Sequence, residues 1–174
     1  MKTFQDLQEG VYDPNILKAF FLAGGPGSGK SYVVKRGTGG LGLKIVNSDD
    51  TFEKYIKDAG LSMKMPKSQE EPRDKLRDRA KAITKMKLDN YVAGRLGLII
   101  DGTGKEYDKI AKQATGLKQL GYDVHMIFVN TSLETALKRN AARDRTVPRS
   151  IATKSWKTVQ SNMGKFSQYF RQNF

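Results

Sequence analysis

The stretch Gly24-Gly25-Pro26-Gly27-Ser28-Gly29-Lys30-Ser31 decides the fold of this chain. It has the G-x-x-x-x-G-K-[ST] pattern of a P-loop, and it lies between a short apolar run and a predicted helix, as that loop should. The glycines allow successive backbone N–H groups to turn toward phosphate oxygens, and the start of the helix adds the positive end of its dipole. We therefore predict that a nucleoside triphosphate binds here and that its phosphates are held by Gly25, Gly27, Ser28, Gly29, Lys30 and Ser31.

Two side chains of this loop have predicted roles of their own. Lys30 should reach the β- and γ-phosphates, and the Ser31 hydroxyl should be a ligand of Mg²⁺. The predicted cofactors are therefore ATP and Mg²⁺.

Strand and helix signals alternate along the rest of the chain. Apolar runs predict strands over 18–23, 43–47, 96–101 and 124–130. Helices are predicted from Lys30 to the glycine cluster 37–42, over 50–59, from the polar stretch 62–72 to about Ala93, and around Ile110, Ala114 and Leu117 up to Gly121. Two more should begin at a T-x-x-E capping box, Thr131 and Glu134, and near Pro148.

This βα order predicts an α/β fold with a central parallel sheet of four or five strands and helices on both faces. We expect a single domain over residues 1–174 with an N-terminal extension over 1–17. On the last helix, apolar residues at spacings of 4, 3, 4, 3 and 4 predict one seam packed against the sheet: Ala152, Trp156, Val159, Met163, Phe166 and Phe170. The single histidine, His125, is predicted to be structural because it lies inside the fourth strand.

The composition excludes several classes of protein. The 174 residues include no cysteine, which excludes a disulfide scaffold and a thiolate metal site. No apolar run is long enough to cross a bilayer, and the first residues lack the pattern of a signal peptide. We therefore expect a soluble, cytoplasmic protein without a membrane partner.

An excess of positive charge indicates an anionic partner. The chain has 31 lysine and arginine residues against 18 aspartate and glutamate residues, a formal net charge of +13 at pH 7. Four basic residues recur at i, i+4 and form a stripe on one helix: Arg73, Arg77, Lys81 and Lys85. Nucleic acid is the partner that this stripe favours. The alternatives are a solvated helix face and a general gain in solubility.

Carboxylates follow two of the predicted strands. Asp49 and Asp50 come after the second strand, and Asp101 ends the third. Ligands bind at this carboxyl edge in open parallel sheets. One carboxylate of the first pair is a candidate for the base that deprotonates an acceptor hydroxyl, and Asp101 is a candidate to bind the acceptor or Mg²⁺ through water. Capping of the next helix, with Ser48 for the first pair, is the alternative in both cases.

Basic residues end the fifth predicted helix. The stretch Lys138–Arg145 precedes Pro148, and arginines over about 138–148 would form a lid that folds over the nucleotide and stabilises transition-state charge. Arg139 and Arg143 are the residues in question. Cations at the end of a helix are also favourable without any function, which is the alternative.

Together these segments resemble the P-loop kinase group that contains bacterial zeta toxins and the 5′-kinase domain of phage polynucleotide kinases. Gly24–Ser31 is similar to the G-x-P-G-S-G-K-[ST] loop of both families. Asn47–Asp50 resembles the N-R-D-D of the phage kinases, which makes Asp49 the base, whereas alignment to the D-T-F of zeta toxins makes it Asp50. Arg143 corresponds to the lid arginine of the phage kinases.

The segment Leu98–Lys105 is similar to the zeta pattern I-I-E-G-T-G-R. This likeness places Asp101, Thr103 and Lys105 in the acceptor site, with Asp in place of Glu and Lys in place of Arg. The resemblance implies a kinase that transfers the γ-phosphate of ATP to a hydroxyl, in the host cytoplasm if a phage encodes it.

Three functions remain open at this point. The first is a kinase of the 5′-hydroxyl of DNA or RNA, which the charge favours. The second is a zeta-toxin-like kinase of a UDP-amino-sugar, a small-molecule acceptor, which the segment around Asp101 favours. A nucleoside or nucleotide is an acceptor that ranks behind these two. The third function is a non-catalytic, ATP-binding nucleic-acid module. An antitoxin-like protein partner is compatible with the resemblance.

Overall fold

A four-stranded parallel sheet forms the centre of the molecule. The computed structural model describes residues 15–37, 39–64, 66–143 and 146–174. The strands of the sheet are β1 (Lys18–Ala23), β2 (Lys44–Val46), β3 (Leu98–Asp101) and β4 (Asp123–Phe128). They are arranged in the order β2-β3-β1-β4, and every pair is parallel. The α/β prediction is confirmed, with four strands among the described residues.

The helices alternate with these strands. Their bounds are α1 (Lys30–Gly37), α2 (Asp49–Asp58), α3 (Glu70–Ala93), α4 (Tyr107–Gln119), α5 (Leu133–Ala141) and α6 (Arg149–Phe170). Short 3₁₀ turns, Lys67–Gln69 and Arg171–Asn173, precede α3 and follow α6. Pro72 lies in the first turn of α3, where its missing N–H costs nothing, so this helix begins earlier than the sequence suggests.

The two faces of the sheet bury different helices. On one face, Phe21 and Val124 pack with side chains of α4 and α6 such as Leu117 and Phe166. On the other face, Leu22 and Ile99 pack with Val34 of α1. Alternation along β1 thus sends neighbouring side chains into two cores. The prediction of helices on both faces is confirmed.

A third cluster joins α2 to α3 outside the sheet. Phe52 and Ile56 of α2 are fully buried against Ala80 of α3, and Leu76 packs beside them. This contact fixes how α3 is rotated about its own axis. It therefore determines which of its basic residues turn toward α2.

Some local predictions were wrong. The N-cap of α5 is Ser132, whose hydroxyl accepts from the backbone N–H of Thr135, so the capping box at Thr131 and Glu134 does not form. Met163 is 37% exposed and lies outside the predicted seam, because Asn162 is buried beside it. The Asn162 amide donates to the carbonyls of Gly104 and Lys105, a tertiary contact that the apolar spacing did not reveal.

Other boundaries differ by a few residues. Leu96 belongs to an isolated antiparallel bridge with Ile16 and not to β3. His125 does lie in β4, where its ring stacks on Phe20 with centroids 5.1 Å apart and its Nε2 is 2.8 Å from Asp123 Oδ2. Most of the predicted N-terminal extension, residues 1–14, lies outside the described residues. In the described part of the chain, no helix is both long and apolar enough to cross a membrane.

Candidate active site

The P-loop connects β1 to α1 at the carboxyl edge of the sheet. Gly27 adopts φ +79°, and a Cβ at this position would overlap the backbone carbonyl of Ala136 in α5. Only glycine fits both the positive φ and the close approach. The loop is tied to the turn after β3 by the hydrogen bond that the Gly24 N–H donates to the Thr103 carbonyl, at 3.0 Å.

The Ser28 side chain is a buried polar group that lacks a partner. It is 3% exposed, and its Oγ makes no hydrogen bond to the described residues. Leaving a buried hydroxyl unpaired costs about 1–3 kcal/mol. A phosphate oxygen bound in the loop would satisfy it, so this orphaned hydroxyl fits the ligand that the motif predicts.

Side chains from α5, α6 and the segment before α5 contact the back of the loop. The Thr131 hydroxyl donates to the Ser28 carbonyl at 2.9 Å, and Arg139 Nη1 donates to the same carbonyl at 3.3 Å. The Trp156 indole donates to the Thr131 carbonyl at 2.8 Å and its side chain packs on Gly25. Arg139, predicted to contact the nucleotide, therefore contacts the backbone of the loop.

Lys30 is largely buried at the start of α1. Its Nζ donates to the Gly24 carbonyl at 2.8 Å. Burial lowers the pKa of the Lys30 ammonium, Asp101 opposes that effect, and Arg143 reinforces it. A buried ammonium close to a second cation gains from the arrival of an anion, as a triphosphate site requires.

The carboxylates predicted at the edge of the sheet do come together. Burial raises the pKa of the Asp101 carboxyl, the Lys30 charge acts against that rise, and the charges of Asp49 and Asp50 add to it. The charge of Arg143 lowers the pKa of Asp101, although Arg143 lies after α5 and has an exposed side chain. These five charged groups thus share one electrostatic environment.

Asn47 links the ends of two strands and was not among the site residues predicted from the sequence. Its amide donates to Asp101 Oδ2 at 2.9 Å, and its Oδ1 accepts from the Asp49 N–H at 2.7 Å. Ser48 makes no side-chain capping bond, so the capping alternative is wrong for that residue. Asp49 is half-buried, whereas Asp50 is exposed.

The remaining predicted site residues contribute backbone groups or have exposed side chains. Thr103 contributes its backbone carbonyl to Gly24, and the Lys105 side chain is exposed. The first turn of α1 carries Ser31, whose side chain is also exposed. The lid region includes two residues outside the described part of the chain, Asp144 and Arg145. The Asn140 side chain donates to the Val147 carbonyl and accepts from the Val147 N–H.

The donor set fits a magnesium ion that shares its ligands with phosphate. Mg²⁺ prefers oxygen and is usually bound by one or two protein groups, phosphates and water. The Ser31 hydroxyl and the Asp101 carboxylate are oxygens of this kind at the loop and strand end. Among the described residues, no group of three histidine or acidic side chains forms an all-protein cage.

The position of Arg77 also differs from the one predicted from the sequence. It was assigned to a solvent-facing stripe, but its Nη1 is 3.9 Å from Asp49 Oδ1 and its guanidinium lies 4.0 Å from the centroid of the Phe52 ring. In contrast, Lys81 and Lys85 pair with Asp78 and Asp89 on their own helix, at 3.1 Å. The solvated-face alternative thus describes these two lysines.

Solved structures share this fold at low sequence identity. The Pnkp1/Rnl/Hen1 RNA repair complex matches with a TM-score of 0.65 and 19% identity, over 94% of this chain and 49% of that one. The AvrRxo1-ORF1:-ORF2 complex with ATP matches with a TM-score of 0.68 and 16% identity, over 88% and 50%. The PezAT toxin–antitoxin system of Streptococcus pneumoniae matches with a TM-score of 0.64 and 19% identity, over 87% and 64%.

These likenesses show a common P-loop kinase fold. The chain spans about half the length of the first two structures. No curated protein sequence matches the chain. The model of the family described as Zeta toxin, however, matches residues 6–174, nearly the whole sequence. The resemblance noted at Gly24–Ser31 and Leu98–Lys105 is confirmed, and the chain belongs to the zeta toxin family.

Proposed function

We propose that this protein is a phosphotransferase that moves the γ-phosphate of ATP to a hydroxyl group. The observation that carries the proposal is the convergence of Lys30, Asp49, Asp101 and Arg143 beside a loop with an orphaned buried hydroxyl. Binding alone needs the loop and the lysine. Carboxylates at two strand ends and a cation from the lid are what transfer needs in addition.

Each side chain has a definite task in this scheme. Asp49 accepts the proton of the acceptor hydroxyl, and the oxygen then bonds to the γ-phosphorus while the bond to the β-bridging oxygen breaks and ADP leaves. Lys30 and Arg143 stabilise the charge on the phosphoryl oxygens. Ser31, with Asp101 through water, would hold Mg²⁺, which neutralises phosphate charge when bound.

Asp49 is preferred to Asp50 as the base for a structural reason. Its backbone N–H is held by the Asn47 side chain, and its own side chain is half-buried. The Asp50 side chain is exposed at the start of α2. A base must be held in one orientation to accept a proton, and the environment of Asp49 provides this.

The 5′-hydroxyl of DNA or RNA is the first acceptor that we propose. The net charge of +13 supports it. A UDP-amino-sugar is the second, because the chain belongs to the zeta toxin family and the segment around Asp101 is similar to the pattern of that family. A protein partner of the antitoxin kind is also proposed, since the similar PezAT structure is a toxin–antitoxin system.

The test is transfer of label from γ-labelled ATP to a panel of 5′-OH oligonucleotides, UDP-amino-sugars and nucleosides. Label on one class identifies the acceptor, and the salt dependence separates a polyanion from a small molecule, because binding through several phosphates weakens steeply with ionic strength. ATP binding without a labelled product from any acceptor would contradict the proposal and favour a non-catalytic module.

Three variants test the assignment of the base. Asp49→Asn should lower kcat by about 10²- to 10⁴-fold, the range typical of a lost general base. Asp50→Asn should have a much smaller effect. Asp58→Asn, an exposed substitution at the other end of α2, is the matched control. Full turnover by the Asp49 variant would remove that residue from the scheme.

A further inference from the structure

A guanidinium that the sequence assigned to the outer surface lies beside the proposed base. Arg77 Nη1 is 3.9 Å from Asp49 Oδ1, and the guanidinium lies over the Phe52 ring at 4.0 Å from its centroid. The Arg77 side chain is 34% exposed, against 77% for Lys75 and 78% for Lys85 of the same helix. Its environment is therefore different from that of its basic neighbours.

The packing of two helices sets this position. Phe52 and Ile56 of α2 are fully buried against Ala80 of α3, less than one turn after Arg77. Lys75, Lys81 and Lys85 form ion pairs within α3, whereas Arg77 reaches α2 and stacks on a buried ring. A solvated surface cation does not need such support, which costs conformational entropy.

Two cations approach the carboxylates from different elements. Arg143, which follows α5, lowers the pKa values of Lys30 and Asp101 through its charge, and both of these residues belong to the triphosphate site in the proposed scheme. Arg77, from α3, contacts Asp49. Because Asp49 has to contact the acceptor hydroxyl, a guanidinium next to Asp49 is close to the groups that flank this hydroxyl.

We propose that Arg77 is a specificity-determining residue of the acceptor site, where it binds a phosphate group that the acceptor carries near its reacting hydroxyl. This inference rests on the proposed function. A guanidinium presents its N–H donors in a planar fork that matches two phosphate oxygens. The phosphate belongs either to a nucleotide, on the 3′ side of a 5′-hydroxyl, or to the diphosphate of a UDP-amino-sugar.

The test compares acceptors that differ in one phosphate group. Thymidine and thymidine 3′-monophosphate form one pair, and an N-acetylated amino sugar and its UDP derivative form the other. Arg77→Met keeps the apolar stem over Phe52 and removes the charge, and Arg77→Lys keeps a charge without the fork. Arg79→Gln is the matched control, because Arg79 lies on the same helix over the Tyr55 ring of α2.

For the phosphate-bearing acceptor of the active pair, Arg77→Met should raise KM by about 10- to 100-fold, as expected for a lost charge-assisted bond, and should change kcat much less. Arg77→Lys should restore part of the loss. The KM for the phosphate-free acceptor should change far less than that for the phosphate-bearing one, and the affinity for a non-hydrolysable ATP analogue should be unaffected. An equal loss for both members of the pair, or a loss in kcat alone, would overturn the inference, since Arg77 would then act through Asp49.

A binding measurement separates this inference from the proposed function. Thymidine 3′-monophosphate and the UDP-amino-sugar are titrated into the protein loaded with the ATP analogue. Binding of one of them that weakens in Arg77→Met but not in Arg79→Gln supports the inference even if no product forms, in which case the proposed transfer alone has failed. If neither compound binds the unsubstituted protein, or if binding is the same in the Arg77 variant, the inference is wrong.

Discussion

The Asn47 amide donates a hydrogen bond to Asp101 Oδ2 at 2.9 Å and thereby joins the ends of two neighbouring strands. The same side chain accepts from the Asp49 N–H through Oδ1, so one amide orients both the start of α2 and the carboxylate at the end of β3. Because the Asn47 Nδ2 makes one of these contacts and the Oδ1 makes the other, the two contacts can be removed separately.

Asn47→Ala should lower kcat by about 10- to 100-fold with little change in the KM for ATP, since displacement of a reacting group by a fraction of an ångström has costs of this order. Asn47→Asp keeps the acceptor for Asp49 but places a second carboxylate against Asp101, so it should not restore activity. Asn90→Ala, on the exposed side of α3, is the control. Steady-state kinetics in which Asn47→Ala alters only the KM for ATP would contradict this positioning role.

Ser28→Ala should have opposite effects on stability and on ATP binding. The hydroxyl has no partner in the described residues, so its removal should leave the free energy of unfolding unchanged or raise it by about 1 kcal/mol. The affinity for ATP should fall by about tenfold, because a hydrogen bond to a charged phosphate is lost. Denaturant titration and calorimetric binding measure the two quantities.

Ser155 provides a matched control for this prediction. It is the other buried side chain of the described residues whose hydroxyl lacks a partner, and it lies on α6. Ser155→Ala should therefore stabilise the protein by a similar amount and leave the affinity for ATP unchanged. If both variants weaken ATP binding equally, the Ser28 hydroxyl has no special relation to the nucleotide.

The parts of this fold that could be predicted from sequence are those with local rules. The P-loop pattern requires glycine at Gly29, which adopts φ +102°, and β1 is a short apolar run before the loop, so both were located correctly. The convergence of Asp49 and Asp101 followed from the geometry of parallel strands, whose carboxyl ends meet at one edge. The catalytic roles of these residues remain predictions.

The parts that could not be predicted depend on tertiary packing. Helical spacing assigned Arg77 to a stripe but does not say how α3 is rotated, which the contact of Phe52 with Ala80 determines. Asn162 is buried in α6 because backbone carbonyls after β3 accept hydrogen bonds from its amide. The residue pattern of the helix does not predict that contact. Sequence periodicity thus finds an element more reliably than the direction it faces.

The dependence of stability on pH should show the burial of Asp101. Because burial raises the pKa of this carboxyl above its ordinary value of about 3.9, the folded protein favours the protonated form. Its contribution to stability is therefore greatest below about pH 3.9 and is lost as the pH rises through the pKa of the folded state. Asp101→Asn lacks this titration.

The measurement is the free energy of unfolding of the unsubstituted protein minus that of Asp101→Asn, by urea titration at several pH values between acid and neutral. This difference should decrease as the pH rises. A difference that increases over the same range would mean that the carboxylate is better stabilised in the fold than in water, and that burial is not the dominant effect on Asp101.

Gly27→Ala should abolish nucleotide binding and lower the stability of the protein. The residue adopts φ +79°, which costs an alanine about 1–2 kcal/mol, and the added Cβ would overlap the Ala136 carbonyl. Either the loop or the start of α5 must move, and Arg139 and Thr131 would then lose the Ser28 carbonyl that they both contact. Calorimetric titration with ATP and thermal unfolding measure the two effects.

Gly164→Ala is the control for that substitution, and it should act in the opposite direction. Gly164 lies inside α6 with a helical φ, its side is exposed, and a Cβ there would meet no atom within 4 Å. Alanine in a helix interior is more favourable than glycine by about 0.5–1 kcal/mol, so this variant should unfold at a higher temperature and bind ATP as before. If both glycine variants lose the nucleotide, the effect comes from general sensitivity of the fold and not from the close approach of the P-loop to α5.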